Sequence, residues 1–378
     1  MLGMRTASLV LSGVLTIACT PGRSRDPEDA RDAVERVSLQ AADGHQIGII
    51  ASAAACGNDV YLGDASGLVW HLDVRRHAGP RTPMTLDAQH APRSVGGVGV
   101  DCERHALYVL DSMTRTLVEF DSRSGVARTT WPIGVNPLAF TAPPAGPLAV
   151  VPGVAIVLHG VATAGSDPDR APSTDQHYAG RHVGLMLSPA TGEWTTAFTP
   201  FDNTCRGRCA QTSINTTGHA TDTEFTVTLP TTPTVGFYDD HYSLVRVVDV
   251  ASPGFLRSAH EPVAPSDTSG SILWARTNSM MRTAAVCGGY LASIHETTDV
   301  PDDWQPGTTL VQWRQKLNVH DLDGSSHVLD HVLPGYYVGH DDERVISVDY
   351  GPDGRQRSAE RVDIVLTRPR QLVQSLAP

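Results

Sequence analysis

Apolar runs of strand length recur along the chain from Ile47 to Leu366, and Gly, Pro, Asp and Asn residues separate them. Within these runs the side chains either alternate between apolar and polar or stay apolar throughout, which is typical of β-strands. The 3.6-residue periodicity of an amphipathic helix is nearly absent. The pattern therefore predicts an almost entirely β protein.

The strand pattern repeats as a unit of four strands joined by turns. The first unit reads GIIASAAACGNDVYLGDASGLVWHLDV and the second GVGVDCERHALYVLDSMTRTLVEFDSRSG, with the same order of side-chain classes. Four further units follow, two of them with long insertions. One such sheet exposes both faces, and stacking the units around an axis buries them. We therefore predict an all-β fold, a six-bladed β-propeller with four-stranded antiparallel blades, over residues 37–368.

The phrases VYLGDASGLVWHLD and LYVLDSMTRTLVEFD resemble blades of the NHL and TolB-like six-bladed propeller families, in which an aspartate follows the second strand. The resemblance is close in the first two units and loose in the others. It implies a fold far more than an activity, because propellers host many functions. A pair of β-sandwiches built from the same short strands is the alternative architecture, and the repeat count argues against it.

The N-terminus carries an export signal. Arg5 precedes the short apolar stretch Leu9–Ile17, which is too short for a membrane span. The following LTIAC resembles a bacterial lipobox, with Thr16 in place of the usual leucine. The resemblance implies that residues 1–19 are a lipoprotein signal peptide and that an acylated Cys19 anchors the chain in the lipid bilayer, with sorting to the outer membrane of the cell envelope. An ordinary signal peptide cut nearby is the alternative.

The composition indicates the character of the two terminal segments and the class of partner. Residues 20–36 are polar and charged, which predicts a flexible tether, and residues 369–378 are assigned to a C-terminal tail. The net charge is −12, and no dense cluster of Lys and Arg offsets it. We therefore expect no nucleic acid among the partners.

The cysteines divide into two groups. Cys205 and Cys209 are close enough in sequence to form a disulfide in an oxidising compartment, and a zinc half-site is the alternative, although no second Cys/His pair at finger-like spacing follows. Cys56, Cys102 and Cys287 end the first strands of their units, where small cysteines are generally buried. A bridge from Cys56 to Cys102 between neighbouring blades is possible, but the geometric limits are strict and equivalent blade positions tend to be too far apart for it.

The last position of each predicted second strand is polar. These positions are Asp64, Asp111, His159, Asp239, His295 and Asp349. An aspartate at a strand end accepts hydrogen bonds from the following turn, so we expect Asp64 and Asp111 to be turn caps. Histidine caps a turn less well, and His159 and His295 both precede insertions. These two histidines are the stronger candidates for ligand binding, and surface histidines at a loop base are the alternative.

The long insertions all fall on one face of the predicted propeller. Val161–His182 and Glu296–Gly307 join second to third strands, and Phe201–Asp222 joins two blades. Both connection types emerge on the face that we call the insertion face; the other connections form the tight-turn face. Elaborated loops concentrate binding residues. We predict a ligand or partner surface on the insertion face with these residues: Asp64, Asp111, His159, His177, Tyr178, Asp239, His241, His295, Trp304 and Asp349.

Trp304 lies among carboxylates in the sequence DDWQPG. An exposed tryptophan there would suit stacking on a sugar or packing on a protein partner. The alternative is that Trp304 forms the small core of its own loop.

The motifs of common enzymes are absent from the sequence, among them G-x-S-x-G, HExxH, the P-loop and GxGxxG. We therefore favour a noncatalytic binding or scaffold module for a protein, peptide or glycan, without a cofactor. The alternative resembles the metal-dependent lactonases of the six-bladed class, with a divalent metal held by His159, His295 and Asp239. The glutamate and asparagine of that family's metal set have no counterpart here. A sensory lipoprotein whose ligand changes its association is a third possibility.

Overall fold

The structure is a computed structural model. It describes residues 33–42, 44–76, 79–133, 148–151, 155–162, 182–200, 217–219, 224–228, 232–241, 243–256, 277–299, 312–351 and 359–376. Within these ranges, no helix has the length and apolar character that crossing a membrane requires.

The described residues form strands almost throughout. In chain order they are β1 (Val34–Gln40), β2 (Ile50–Cys56), β3 (Asp59–Asp64), β4 (Val69–Asp73), β5 (Val95–Asp101), β6 (Ala106–Asp111), β7 (Thr116–Asp121), β8 (Ala127–Pro132), β9 (Ala149–Val151), β10 (Ala155–Ala162), β11 (His182–Ser188), β12 (Glu193–Pro200), β13 (Thr217–His219), β14 (Glu224–Thr228), β15 (Thr234–Asp239), β16 (Leu244–Asp249), β17 (Met280–Cys287), β18 (Tyr290–Asp299), β19 (Gln312–His320), β20 (Ser326–Val332), β21 (Tyr336–His340), β22 (Val345–Asp349) and β23 (Arg361–Thr367). One helix, α1 (Pro369–Leu376), follows them in the described part of the chain.

Among the described residues, the strands form four sheets of four strands and one sheet of seven. The four-stranded sheets are β5–β8, β9–β12, β13–β16 and β17–β20, and each is an antiparallel meander. The larger sheet contains β2–β4 and the group β21–β23 with β1, joined by a parallel pairing of β2 with β21. We number these groups of strands blades 1 to 6 from β2 onward. The prediction of an all-β propeller is confirmed.

The parallel pairing between blades 1 and 6 depends on a glycine. Ala53 of β2 lies opposite Gly339 of β21. A Cβ atom on residue 339 would collide with the Ala53 carbonyl, so glycine is what permits this close approach. Blade 1 departs from the predicted four strands: the described residues give it three, and beyond β4 Met84 donates a hydrogen bond to the Val69 carbonyl where a fourth strand would lie.

Blade 6 is completed from the other end of the chain. β1 pairs with β23, Val37 lying opposite Ile364. This strand begins at Val34, within the segment predicted as a tether, because Val37 and Leu39 alternate with polar residues and bury their side chains. The predicted tail contains helix α1, which buries Leu372 against blade 5. The rest of the predicted tether, and the signal peptide, lie outside the described residues.

The core lies between the blades. Trp70 and Leu62 of blade 1 are fully buried against blade 6, whereas Tyr61 on the other face of the same blade packs towards Phe120 of blade 2. Burying one such side chain contributes about 1.5 to 3 kcal/mol. Because both faces of a blade are covered, its strands need continuous apolar runs as well as alternating ones.

A disulfide joins Cys56 at the end of β2 to Cys102 after β5. The expectation that these cysteines lie too far apart was wrong, since their Cα atoms are 5.7 Å apart. The reason is that the inner strands converge near the axis, where Val98 of β5 donates a hydrogen bond to Ser52 Oγ of β2 at 3.0 Å. Cys287 is a free, buried thiol, as its position predicts, whereas Cys102, for which burial was also expected, is exposed.

Candidate functional site

The strand register places three of the predicted polar residues at equivalent positions. Each lies opposite the residue that precedes a bulge in the innermost strand of its blade: Asp64 opposite Ile50, Asp111 opposite Val95, and His295 opposite Met281. We call this place the ring position. In blade 5 the strand continues past it to Asp299, so His295 lies inside β18 and not at its end.

Asp64 at the ring position of blade 1 is fully buried. Its Oδ1 accepts hydrogen bonds from the Ser66 and Leu68 amides at 2.8 and 3.2 Å. Its Oδ2 accepts from the Gly48 amide at 3.1 Å and from Trp70 Nε1 at 3.0 Å. Both carboxylate oxygens are therefore committed to the protein, and Asp64 fixes both its own turn and the segment that enters the blade.

Asp111 has the same role in blade 2. It accepts hydrogen bonds from the Met113 amide at 2.9 Å and from the Arg93 amide of the entering segment at 3.0 Å. Burial opposes ionisation, but the hydrogen bonds from Arg93, Thr114 and Met113 prevail and lower the pKa of Asp111.

Asp349 ends the second strand of blade 6 and lies at the surface. Arg36 Nη1 lies 2.8 Å from Asp349 Oδ2, and the Gly351 amide donates to Oδ1 at 2.9 Å. The Arg36 guanidinium is the main cause that lowers the pKa of Asp349. Here too the carboxylate is a turn cap.

His295 at the ring position of blade 5 is a fully buried imidazole. The Asp330 amide donates to Asn318 Oδ1 at 2.7 Å, which turns the Asn318 amino group towards His295 Nδ1 at 3.2 Å. Nδ1 is therefore the acceptor and Nε2 carries the proton. Nε2 has no hydrogen-bond partner among the described residues and lies 3.4 Å from Asp330 Oδ1. Burial lowers the pKa of His295 to about 4.

Asp330 supplies the carboxylate that the ring position of blade 5 lacks. Its Oδ2 accepts a hydrogen bond from the Gly254 amide at 2.8 Å, and its Oδ1 accepts from Ser252 Oγ at 2.9 Å. Gly254 lies in the segment that follows β16 of blade 4, whereas Gly48 lies just before β2 of blade 1. A Cβ on residue 254 would collide with the Asp330 carboxylate, so the contact requires glycine there. Lys316 Nζ completes the cluster at 3.8 Å from Asp330 Oδ1.

The assignment of Asp239 to a second-strand end was wrong. Three-residue strand β13 precedes β14, so β15, which ends at Asp239, is the third strand of blade 4. Asp239, Asp240 and His241 thus lie in a third-to-fourth turn on the tight-turn face. The His241 and Ser243 amides donate to Asp239 Oδ1 at 2.9 and 2.8 Å, and the Asp240 carboxylate, 2.6 Å from His241 Nδ1, raises the pKa of His241.

The predicted metal set is therefore not brought together. Asp239 and His295 lie at opposite ends of their blades, one on the tight-turn face and one towards the insertion face. The acidic turn does hold possible ligand atoms of Asp239, Asp240 and His241 within 4.8 Å of one another, at the exposed outer part of blade 4.

Several predicted site residues cannot be placed. His159 lies in β10 opposite Gly184, but its side chain is outside the described residues. The others outside the described residues are Cys19, His177, Tyr178, Cys205, Cys209 and Trp304.

A cavity of about 780 Å³ opens at the axis on the tight-turn face. We call it the central cavity. Its wall is apolar, with Ala53, Ala54, Ala55, Val100, Leu148, Ala149 and Val150. Its rim carries charges of both signs, with Arg75, Glu103, Asp341, Asp342, Glu343, Arg344 and Arg368. Arg344 is held by Asp341 at 2.5 Å and also donates to the Gly57 carbonyl, so this part of the rim is fixed.

A second cavity of about 580 Å³ lies between blades 1 and 2, also on the tight-turn face. We call it the interblade cleft. Asp59, Tyr61 and His71 form its blade 1 side, and the turn from Ser122 to Gly125 forms its blade 2 side. The Cys56–Cys102 disulfide lies at its inner end.

Solved structures with a similar fold cover most of this chain. The chain superimposes with a TM-score of 0.58 on a DUF4221 family member from Bacteroides vulgatus, at 12% identity over 89% of this chain and 98% of that one. A candidate exported protein of Bacteroides fragilis gives a TM-score of 0.51 at 6% identity over 90% and 96%. The β-propeller domain of Cps50 from Myceliophteria thermophila gives 0.38 at 11% identity over 85% and 98%. The sheet topology is that of a β-propeller. At such identities the likeness concerns the fold alone.

No protein-family model matches the sequence, and no curated protein matches it significantly. Two features of this propeller escaped sequence reasoning. Asp330 sits within a strand far from His295 in sequence, and its contact with Gly254 depends on packing between blades. In the interblade cleft, Asp59 of β3 contacts His71 of the adjacent strand β4. Tyr61 is the register partner of His71, and Asp59 lies two positions before Tyr61. Knowledge of the strand pairing would therefore have suggested this contact.

Proposed function

We propose that the protein is a noncatalytic binding or scaffold module of the bacterial cell envelope, anchored in the outer membrane through an acylated Cys19. Its partner is a protein or peptide, with a glycan as a further ligand class. The Cys56–Cys102 disulfide supports an exported location, because such bonds persist in oxidising compartments.

The central cavity is the observation that carries the binding function. Small inner-strand side chains such as Ala53 and Ala149 leave space at the axis, and charged residues such as Arg75 and Glu103 surround it. Binding sites commonly combine an apolar wall with a few polar groups at the edge. An apolar side chain or chain end of a peptide would fill the cavity, and charged neighbours would pair with the rim.

The hydrogen bonds that the strand-end aspartates accept from the protein support a noncatalytic role. Asp64 and Asp111 direct their oxygens to backbone amides of the protein, so they serve the scaffold. The alternative, a metal-dependent hydrolase, has less support because its proposed ligands Asp239 and His295 lie at opposite ends of the blades. The insertion face, with His159, His177, Tyr178 and Trp304, stays in the proposal as a second partner surface.

The test of the central cavity uses two neighbouring arginines. Arg75 lines the cavity rim, whereas Arg76 next to it pairs with Asp73 at 3.2 Å and lies outside the cavity. Peptides selected by display on the purified wild-type protein would be titrated against Arg75→Glu and Arg76→Glu. We expect at least a tenfold loss of affinity for the first variant and no change for the second. Selection without binders, or binders that ignore Arg75→Glu, would overturn the cavity assignment.

The anchor and the absence of catalysis have separate tests. Cells grown with labelled palmitate should label the wild-type chain and leave Cys19→Ser unlabelled and released from the membrane. An unlabelled wild-type chain would refute the anchor. Stoichiometric divalent metal in the purified protein, lost together with lactone hydrolysis in His295→Gln, would instead establish the hydrolase.

A further inference from the structure

The interblade cleft is a second cavity of ligand size, distinct from the central one. Its volume of about 580 Å³ falls within the range of small-molecule sites. Cys102 belongs to the walls of both cavities, and Asp59, Tyr61 and His71 belong to the cleft alone.

The cleft contains an imidazole ring held in a fixed orientation. His71 stacks on Tyr61 with ring centroids 5.0 Å apart and an interplanar angle of 17°. Asp59 Oδ1 lies 2.7 Å from His71 Nε2 and fixes the ring edge. Tyr61 is itself nearly buried, and its hydroxyl interacts with the Ser122 side chain. Since 39% of the His71 side chain remains exposed, the free face of its ring is available within the cleft.

The opposite wall is a rigid turn that presents polar groups. Asp121 accepts hydrogen bonds from the Arg123 and Ser124 amides at 3.1 and 2.9 Å. The Gly125 carbonyl accepts from the Asp87 amide at 3.0 Å, which ties the turn to the segment of blade 1 below it. The Ser122 side chain, the Arg123 side chain and Thr85 therefore line a wall whose backbone is held in place.

The charges of the cleft are mixed. Asp59 contributes a carboxylate, Arg123 a guanidinium, and His71 and His105 contribute imidazoles. Such a lining offers both donors and acceptors and does not select a strongly anionic or cationic ligand. A flat ring beside hydrogen-bond donors and acceptors suits a polyhydroxylated molecule with one apolar face.

We propose that the interblade cleft binds one neutral sugar unit of a glycan, with the sugar ring against His71 and its hydroxyl groups hydrogen-bonded to Asp59 and Arg123. Met84 supplies further apolar contact at the cleft wall. This inference rests on the proposed binding function and names one ligand class for it. It places that ligand at a site separate from the peptide-binding central cavity.

Blade 5 offers a matched control for the Asp–His pair. His327 Nε2 lies 2.9 Å from Asp321 Oδ1, and Tyr290 contacts the His327 ring at 5.5 Å with an interplanar angle of 87°. The pair has similar composition and exposure but lines neither the interblade cleft nor the central cavity. Changes at Asp321 and His327 should therefore leave sugar binding intact.

The experiment titrates the full chain, purified in detergent, with glucose, galactose, mannose and N-acetylglucosamine, and follows binding by saturation-transfer NMR and calorimetry. We expect at least one sugar to bind, with at least a tenfold loss in Asp59→Asn and His71→Ala and no change in Asp321→Asn and His327→Ala. Circular dichroism establishes whether each variant is folded. If His71→Ala unfolds, the sugar affinity of Asp59→Asn, a substitution at a half-exposed position, tests the proposal instead.

Three outcomes would overturn the inference: no sugar binds, all four variants bind alike, or inorganic phosphate binds in the cleft in place of the sugars. The peptides selected for the central cavity distinguish failure of the sugar-binding proposal from failure of the proposed binding function. If peptide binding depends on Arg75 while no sugar binds, the cleft assignment fails alone. If neither ligand binds, the binding function fails as well.

Discussion

His295 Nε2 and Asp330 Oδ1 lie 3.4 Å apart, and these two side chains together occupy the place that one aspartate fills in blades 1 and 2. In blade 1 the carboxylate of Asp64 receives the Gly48 amide. In blade 5 that carboxylate comes from Asp330 on the outermost strand, which receives the Gly254 amide. The carboxylate of blade 1 thus binds the segment just before its own first strand, and that of blade 5 binds the segment that follows β16 of blade 4.

His295 should make the protein less stable in acid. Burial lowers the pKa of His295 to about 4 from an ordinary 6.5. Between those pH values the unfolded chain binds the proton and the folded protein resists it, so the free energy of unfolding falls as pH falls. His295→Gln should flatten this dependence by up to about 3 kcal/mol. Urea unfolding at pH 7 and pH 4.5 measures the difference.

The control for this pH dependence is His241. Asp240 raises the pKa of His241, so protonation of this exposed residue favours the folded state and is not a source of acid lability. His241→Gln should retain the full loss of stability on acidification. An unchanged pH slope in His295→Gln would contradict the assignment.

Moving the carboxylate from residue 330 to residue 295 tests whether His295 and Asp330 together replace the single aspartate of blade 1, Asp64. Asp330→Asn should cost about 1 to 3 kcal/mol, because the Gly254 and Ser252 donors lose a charged acceptor. His295→Asp alone should also destabilise, since it puts two carboxylates in contact. The double variant should be more stable than the two single effects predict, because a carboxylate returns to the ring position. Chemical denaturation of all four proteins gives the coupling energy, and additive effects would show that the residues act independently.

The pattern of apolar and polar residues predicted most of the strands, and it failed where a strand has no apolar residue. In β3, the buried Val60 and Leu62 precede Asp64, which caps the turn as its position indicates. Strand β13, by contrast, is Thr217–His219 and has no apolar residue, because pairing with β14 and not burial defines it. Missing that strand shifted the numbering of blade 4 and put Asp239 on the wrong face.

Features that depend on distances between blades were not accessible from the sequence. The approach of Cys56 to Cys102 follows from the convergence of inner strands at the axis, which no local pattern encodes. The contact of Asp330 with Gly254 likewise joins an outer strand to a loop of the neighbouring blade. Sequence reasoning reached His295 for a different reason, the insertion that follows it, and had no means of finding its partner.

The Cys56–Cys102 bridge should contribute substantially to stability. It spans 46 residues of sequence, and closing a loop of that length in the unfolded chain corresponds to about 4 kcal/mol. We expect dithiothreitol to lower the melting temperature of the wild-type protein more than that of Cys56→Ala/Cys102→Ala, in which only the predicted Cys205–Cys209 bridge would remain to be reduced. Scanning calorimetry with and without reductant measures both. A reductant effect of equal size in the two proteins would show that the Cys56–Cys102 bridge does not stabilise the fold.

The carboxylates of Asp64 and Asp349 should contribute different amounts to the free energy of unfolding. The buried Asp64 accepts hydrogen bonds from Gly48, Trp70 and its own turn, so in Asp64→Asn the amide nitrogen must face a donor. We expect a loss of at least about 3 kcal/mol in the free energy of unfolding. Asp349→Asn at the surface gives up an exposed pair with Arg36 and should cost less than about 1 kcal/mol. Equal losses in urea unfolding would mean that burial of the ring-position carboxylate does not set its contribution.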